Sequence, residues 1–146
     1  MRVTFAARPG NEANDDRPAL DDLLPDADVI SLHCPLSDAT KHLINQQRLA
    51  SAKPSLLLIN CARGGVIDEV AALEALRSGK LGGLGVDVLP AEPPRDGHPL
   101  LDALSESLNL IVTPHNAWIT PEARQNIVSL TAKNLDEWKS NEWKSA

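Results

Sequence analysis

The stretch LLLINCARGGVID, residues 56–68, decides the fold. Leu56–Ile59 is continuously apolar rather than alternating, the pattern of a strand buried on both faces of a parallel sheet. The chain then places an arginine, its most hydrophilic kind of side chain, at the mouth of this run. Two glycines follow, which permit a sharp turn with positive φ and a close approach of backbone to a ligand. Asp68 is a helix N-cap, with Ile67, Val70, Leu73 and Leu76 on one side and Gly79 beside Lys80 closing the helix. A further apolar run, Leu84–Val88, completes a strand–helix–strand unit.

Working outward, similar short runs occur at Val3–Phe5, Asp28–Leu32 and Leu110–Val112, each ending in a polar or Pro/Gly-containing turn. The expected architecture is therefore α/β, a Rossmann-like parallel sheet with helices on both faces. Thr120-Pro121-Glu122 starts a second helix, with a capping hydroxyl before proline at the first helical position. Ile127, Leu130, Leu135 and Trp138 mark one apolar face of it, which extends the helix to about the low 140s. Arg8 to Pro25 lacks periodicity and reads as a loop with a short helical turn near Leu20–Leu24.

Composition narrows the function classes. The chain has 146 residues, 42% of them hydrophobic, enough for one domain with a real core. Its net charge of −6, from 14 basic and 20 acidic residues without a basic cluster, argues against nucleic acid as a partner. No apolar run approaches the roughly 20 residues a membrane span needs, and MRVTFAARPG lacks a signal-peptide core, so a cytoplasmic protein away from membranes is expected. Cys34 and Cys61 form neither a CxxC pair nor part of a His/Cys cluster; they read as two reduced thiols, and no metal site is expected.

In open parallel α/β sheets, ligands bind beyond the carboxyl ends of the strands, where loops diverge. His33 follows the second run, Asn60 and Arg63 the third, Asp87 and Glu92 the fourth, and His115 the fifth. An arginine, a carboxylate and a histidine on one edge suit proton transfer next to an anion: a forked guanidinium pairs with a carboxylate, and an acid keeps a histidine protonated. Each residue also has a plain alternative. Arg63 can be an exposed loop arginine, Glu92 a solvated acid and His115 a structural histidine. Asp87 and Asn60 either cap neighbouring elements or accept bonds from a ligand. His42 and His98 read as structural or surface residues.

Four segments in register, HCPLSDATKHLIN (33–45), INCARGGVIDEVAALEAL (59–76), LGVDVLPAEPP (84–94) and IVTPHNAW (111–118), resemble the cofactor-binding domain of the D-isomer-specific 2-hydroxyacid dehydrogenases. The resemblance runs from about Val3 to Trp138. It implies an NAD- or NADP-dependent oxidoreductase acting on a small 2-oxo or 2-hydroxy acid, with Arg63 binding and polarising the substrate, His115 as general acid/base and Glu92 tuning it. Cofactor contacts would fall on His33, Cys34, Pro35, Asn60, Cys61, Ala62, Arg63, Asp87 and His115. The EPPRDGHPLL and HNAW stretches look most like glycerate dehydrogenases and hydroxypyruvate reductases, so glyoxylate, hydroxypyruvate or glycerate is the implied substrate.

Two departures from the family pattern stand out. The GxGxxG turn that cradles a pyrophosphate is absent from the sequence. By the resemblance Val3–Phe5 is the family's second strand, so the first strand and the substrate domain are missing, and residues 1–146 would form a partial cofactor-binding domain. The missing strand is central in the order 3-2-1-4-5-6, which leaves its neighbours without ladder partners and implies a truncated chain of impaired activity. Second, the acid expected after the second strand is replaced by Ala7 and Arg8, which tolerates a 2′-phosphate and implies NADPH preference. Two other readings are a non-catalytic dinucleotide-binding or interaction module and a non-functional fragment. Trp138 and Trp143 are available to support a homodimer.

Overall fold

The computed structural model describes residues 1–139 and divides into two compact units, residues 1–114 and the chain from His115 onward. The first unit contains four parallel strands in chain order: β1 (Val29–Leu32), β2 (Leu57–Asn60), β3 (Gly83–Val86) and β4 (Leu110–Val112). The register aligns Leu32, Asn60, Val86 and Val112, so all four strands end on one line. The short helix α1 (Leu20–Leu23) precedes β1, while α2 (Gln46–Ser51), α3 (Glu69–Arg77) and α4 (Pro99–Asp102) each follow a strand.

The third and fourth apolar runs are shifted from their expected limits by a residue or two, which places Asp87 just past β3 rather than inside it. The expected helix between them is present. Asp68 Oδ1 accepts from the Ala71 amide at 3.1 Å, and the helix stops in a Schellman arrangement with Gly79 at φ +70° and the Lys80 amide donating to the Ala75 carbonyl. Because that cap satisfies an otherwise orphaned N–H, Asp68→Ala is expected to cost about 1 kcal/mol, measurable as a lower urea midpoint with unchanged slope. Helix α2 was not apparent from periodicity; it is started by Asn45, whose side chain accepts from the Arg48 amide.

One expectation is corrected. Val3–Phe5 is not a strand, and Val3 and Phe5 are 65% and 72% exposed. An extended segment becomes a strand only by pairing, and among the described residues β1 pairs only with β2. Within the first unit, alternate strand positions differ in burial. Leu58, Asn60, Leu84 and Val86 are buried under α3 and its neighbours, whereas Val29, Leu57 and Ile111 on the alternate positions are 49%, 39% and 63% exposed. The strand order supplies the reason. Three successive right-handed crossovers in the same lateral direction put α2, α3 and α4 on the same face. The core lies on that side, around Ile44, Leu56, Leu58, Val66, Ile67 and Leu100, none more than 1% exposed.

The second unit holds α5 (Pro121–Lys139). Thr120 Oγ1 accepts from the Ala123 amide, so the predicted hydroxyl cap and first-turn proline are both in place. Its predicted apolar residues Ile127, Leu130, Leu135 and Trp138 are all more than half exposed. Trp143 lies outside the described residues. Among the described residues, no helix is long and apolar enough to cross a membrane.

Candidate active site

The common end-line of the strands is where the predicted polar residues of the first unit collect. After β1, His33 is exposed, and its Nε2 is 2.8 Å from Ser31 Oγ. Cys34 is half-buried, and Pro35 accepts at its carbonyl from Thr40 Oγ1. Burial raises the Cys34 thiol. Burial and then the Asp87 charge raise that of exposed Cys61, so neither is an activated nucleophile.

After β2, fully buried Asn60 builds the turn that carries the arginine. Its Nδ2 donates to the Arg63 carbonyl at 2.9 Å, and its Oδ1 accepts from the Ala62 amide at 3.0 Å. The buried amide is thereby satisfied on both sides. Arg63 itself is exposed, with Nη1 donating to the Ala62 carbonyl. The two glycines serve different needs. Gly65 takes positive φ (+81°), whereas Gly64 is needed for space: a Cβ there would lie 2.1 Å from the Leu89 carbonyl carbon. The Arg63 turn is also stitched to the segment after β1, since the His42 amide donates to the Gly65 carbonyl and Ile44 bridges to Ile67.

After β3, Asp87 is 3% exposed. Its amide donates to the Asn60 carbonyl and its Oδ1 accepts from Thr113 Oγ1, a partner that sequence reasoning missed. Glu92 is exposed, and its Oε1 accepts from the Leu89 amide at 2.7 Å. Thus Asn60, Arg63, Asp87 and Glu92 share one edge of the first unit. His115 opens the second unit with an exposed side chain and φ +53°, a region in which histidine is enriched; its carbonyl accepts from Trp118 Nε1. Arg8 lies on the N-terminal segment and is exposed, not at a strand end. Its amide donates to Asp15, whose carboxylate is held well below its usual range by Arg17 first and by the Arg8 amide next.

A parallel sheet whose polar residues line the carboxyl edge defines a Rossmann-like nucleotide-binding fold. Residues 1–117 match the NAD binding domain of the D-isomer specific 2-hydroxyacid dehydrogenases, and the chain belongs to that family of oxidoreductases. It is 47% identical over 117 residues to a glycerate dehydrogenase of Methylorubrum extorquens, an alignment covering 80% of this chain and 37% of that protein. Among solved structures, it resembles an NAD-complexed D-isomer specific 2-hydroxyacid dehydrogenase from Lactobacillus delbrueckii ssp. bulgaricus. That match has a TM-score of 0.77 and 30% identity, covering 97% of this chain and 45% of that one. It also resembles an acyclic imino acid reductase in complex with NADPH and D-Arg, with a TM-score of 0.72 and 30% identity over 83% of this chain and 37% of that one. The chain thus spans less than half the length of each.

Proposed function

We propose that this chain supplies the nicotinamide side of the active site in an NAD(P)-dependent oxidoreductase acting on a small 2-oxo or 2-hydroxy acid, with glyoxylate, hydroxypyruvate and glycerate the favoured substrates. The observation that carries the reading is Arg63, exposed past β2 on a turn that a fully buried Asn60 braces on both sides. A guanidinium so presented can take a substrate carboxylate in fork geometry and draw electron density from the adjacent carbonyl. His115 would give its proton to the carbonyl oxygen as it becomes a hydroxyl, and take it back in the reverse direction. Glu92 would favour the protonated imidazole.

The residues suit a nicotinamide on one count. Asp87 presents a carboxylate at the strand ends, held by Thr113 beside exposed Cys61, and can accept from a carboxamide. His33, Cys34, Pro35, Asn60, Cys61, Ala62 and Arg63 would line the rest. When bound, the dinucleotide supplies or accepts hydride. A second reading is a dinucleotide-binding module without catalysis of its own, in which Asp87, held by Thr113, serves the carboxamide alone.

Fluorescence titration with NADH and NADPH, followed by assays with hydroxypyruvate and glyoxylate, tests both. Sub-millimolar binding with turnover supports the enzyme, and binding without turnover the module; a Kd weaker than millimolar removes both. We expect NADPH to be the better coenzyme, because Ala7 and Arg8 replace the ribose-binding acid and Arg17 and the Arg8 amide occupy nearby Asp15. An NADH kcat/KM, or an affinity where there is no turnover, at or above that for NADPH would end the preference.

A further inference from the structure

Two loops carry the proposed chemistry of the first unit: residues 61–68 bear Arg63, and residues 87–98 bear Glu92. They meet at two points. At the first, Gly64 lies against the backbone of Leu89 and Pro90. At the second, Glu69, the first residue of α3, places Oε2 2.8 Å from Nε2 of His98, the N-cap of α4. Both side chains are largely shielded, at 8% and 15% exposure. The tautomer follows from the second ring nitrogen. His98 Nδ1 accepts from the Leu100 amide, so in the neutral ring Nε2 carries the hydrogen and donates to Glu69. The other carboxyl oxygen of Glu69, Oε1, is buried without a hydrogen-bond partner.

We propose that Glu69 and His98 are positioning residues, a proton-linked clamp that sets how the Arg63 loop and the Glu92 loop sit against each other. The proposal rests on the functional reading above for the roles of Arg63 and Glu92. Its structural content, the coupling of the two loops, does not.

The distance alone suggests an ion pair, which would hold Glu69 acidic and His98 basic, but burial acts against both charges. Burial first, then the neighbouring Asp68 charge, raises Glu69 to about 7, and burial lowers His98 against the pull of Asp102. Burial thus favours the neutral form of each partner. A carboxyl raised in the fold contributes stability that is fully present below its ordinary value and lost as pH rises through about 7. On ionisation, Oε1 becomes a buried charged oxygen with no donor. A cavity of about 560 Å³ adjoins it, lined by Gly64, Gly65 and Pro90 as well as Glu69 and His98, with Asp38, Lys41 and His42 as its other titratable groups besides Asp68. The proposed linkage is that water or Lys41, drawn from that cavity toward the ionised Glu69, shifts one loop against the other.

The test is a pH titration of the 15N-labelled chain by NMR between pH 5 and 9. The Gly64 and Leu89 amides are expected to shift together with a midpoint near 7. In Glu69→Gln this shared shift is lost. His98→Asn keeps a capping side chain for α4 and removes the ring that reaches Glu69, so it should abolish the shared shift as well. Silent Gly64 and Leu89 amides in the wild type, or a titration that survives unchanged in either folded variant, overturn the clamp. A wild type that binds no dinucleotide would defeat the functional reading and leave this titration as it is.

Discussion

His115→Ala is expected to lower kcat for reduction of a 2-oxo acid by roughly 10² to 10⁴, the range for losing a positioned general acid. The dinucleotide Kd should move far less, because the ring's assigned task is proton transfer to substrate. Alanine changes two things at once, since His115 holds φ +53°, a conformation that most side chains resist. His115→Asn separates them. Asparagine tolerates that backbone and can hydrogen-bond, but it has no proton to give near neutral pH. A matching fall for both variants assigns the loss to the proton, recovery by asparagine assigns it to the backbone, and an unaffected rate in alanine sinks the role. Where the chain alone shows no turnover, the substitution belongs in an active protein containing this domain.

Gly64→Ala should produce the largest loss of stability, about 3 kcal/mol, the upper end for forcing atoms into packed space. The added carbon would sit 2.1 Å from the Leu89 carbonyl carbon, 2.3 Å from the Pro90 nitrogen and 2.4 Å from the Leu89 oxygen. All three are backbone atoms, so no side chain can swing aside, and one loop must back away from the other. Against a total stability of roughly 5 to 15 kcal/mol, a loss of this size is a large fraction. Urea unfolding measures it; a change below about 0.5 kcal/mol, the usual scatter of neutral surface substitutions, would show that the loops part easily and weaken the clamp argument too. Because the displaced loops carry Arg63 and Glu92, activity should fall further than the unfolded fraction accounts for.

The strands were legible in the sequence where the physics is local. LLLI (56–59), the run Leu84–Val88 and LIV (110–112) announce themselves by largely apolar character, and Asp68 and Thr120 by capping chemistry that acts within one turn. Arg63, Asp87 and Glu92 could be placed at one edge for the same reason: in a parallel sheet, every residue just past a run emerges on the same side. The reading failed for Val3–Phe5, whose apolar letters match a strand but whose partner is not in the chain's sheet. Helices α2 and α4 were too short, at six and four residues, for a 3.6-residue period to show. Thr113 and His98 carried no local sign of the carboxylates they meet.

By itself, the sequence determined the strand succession, the helix caps and the order in which polar residues reach the strand ends, all set by interactions between near neighbours in the chain. What had to come from the folded chain is that α2, α3 and α4 pack side by side, that Gly64 leaves room for Leu89 and Pro90, and that His98 closes on Glu69. Those outcomes depend on the handedness of crossovers and on the approach of segments distant in sequence, and neither is written in any single stretch of residues.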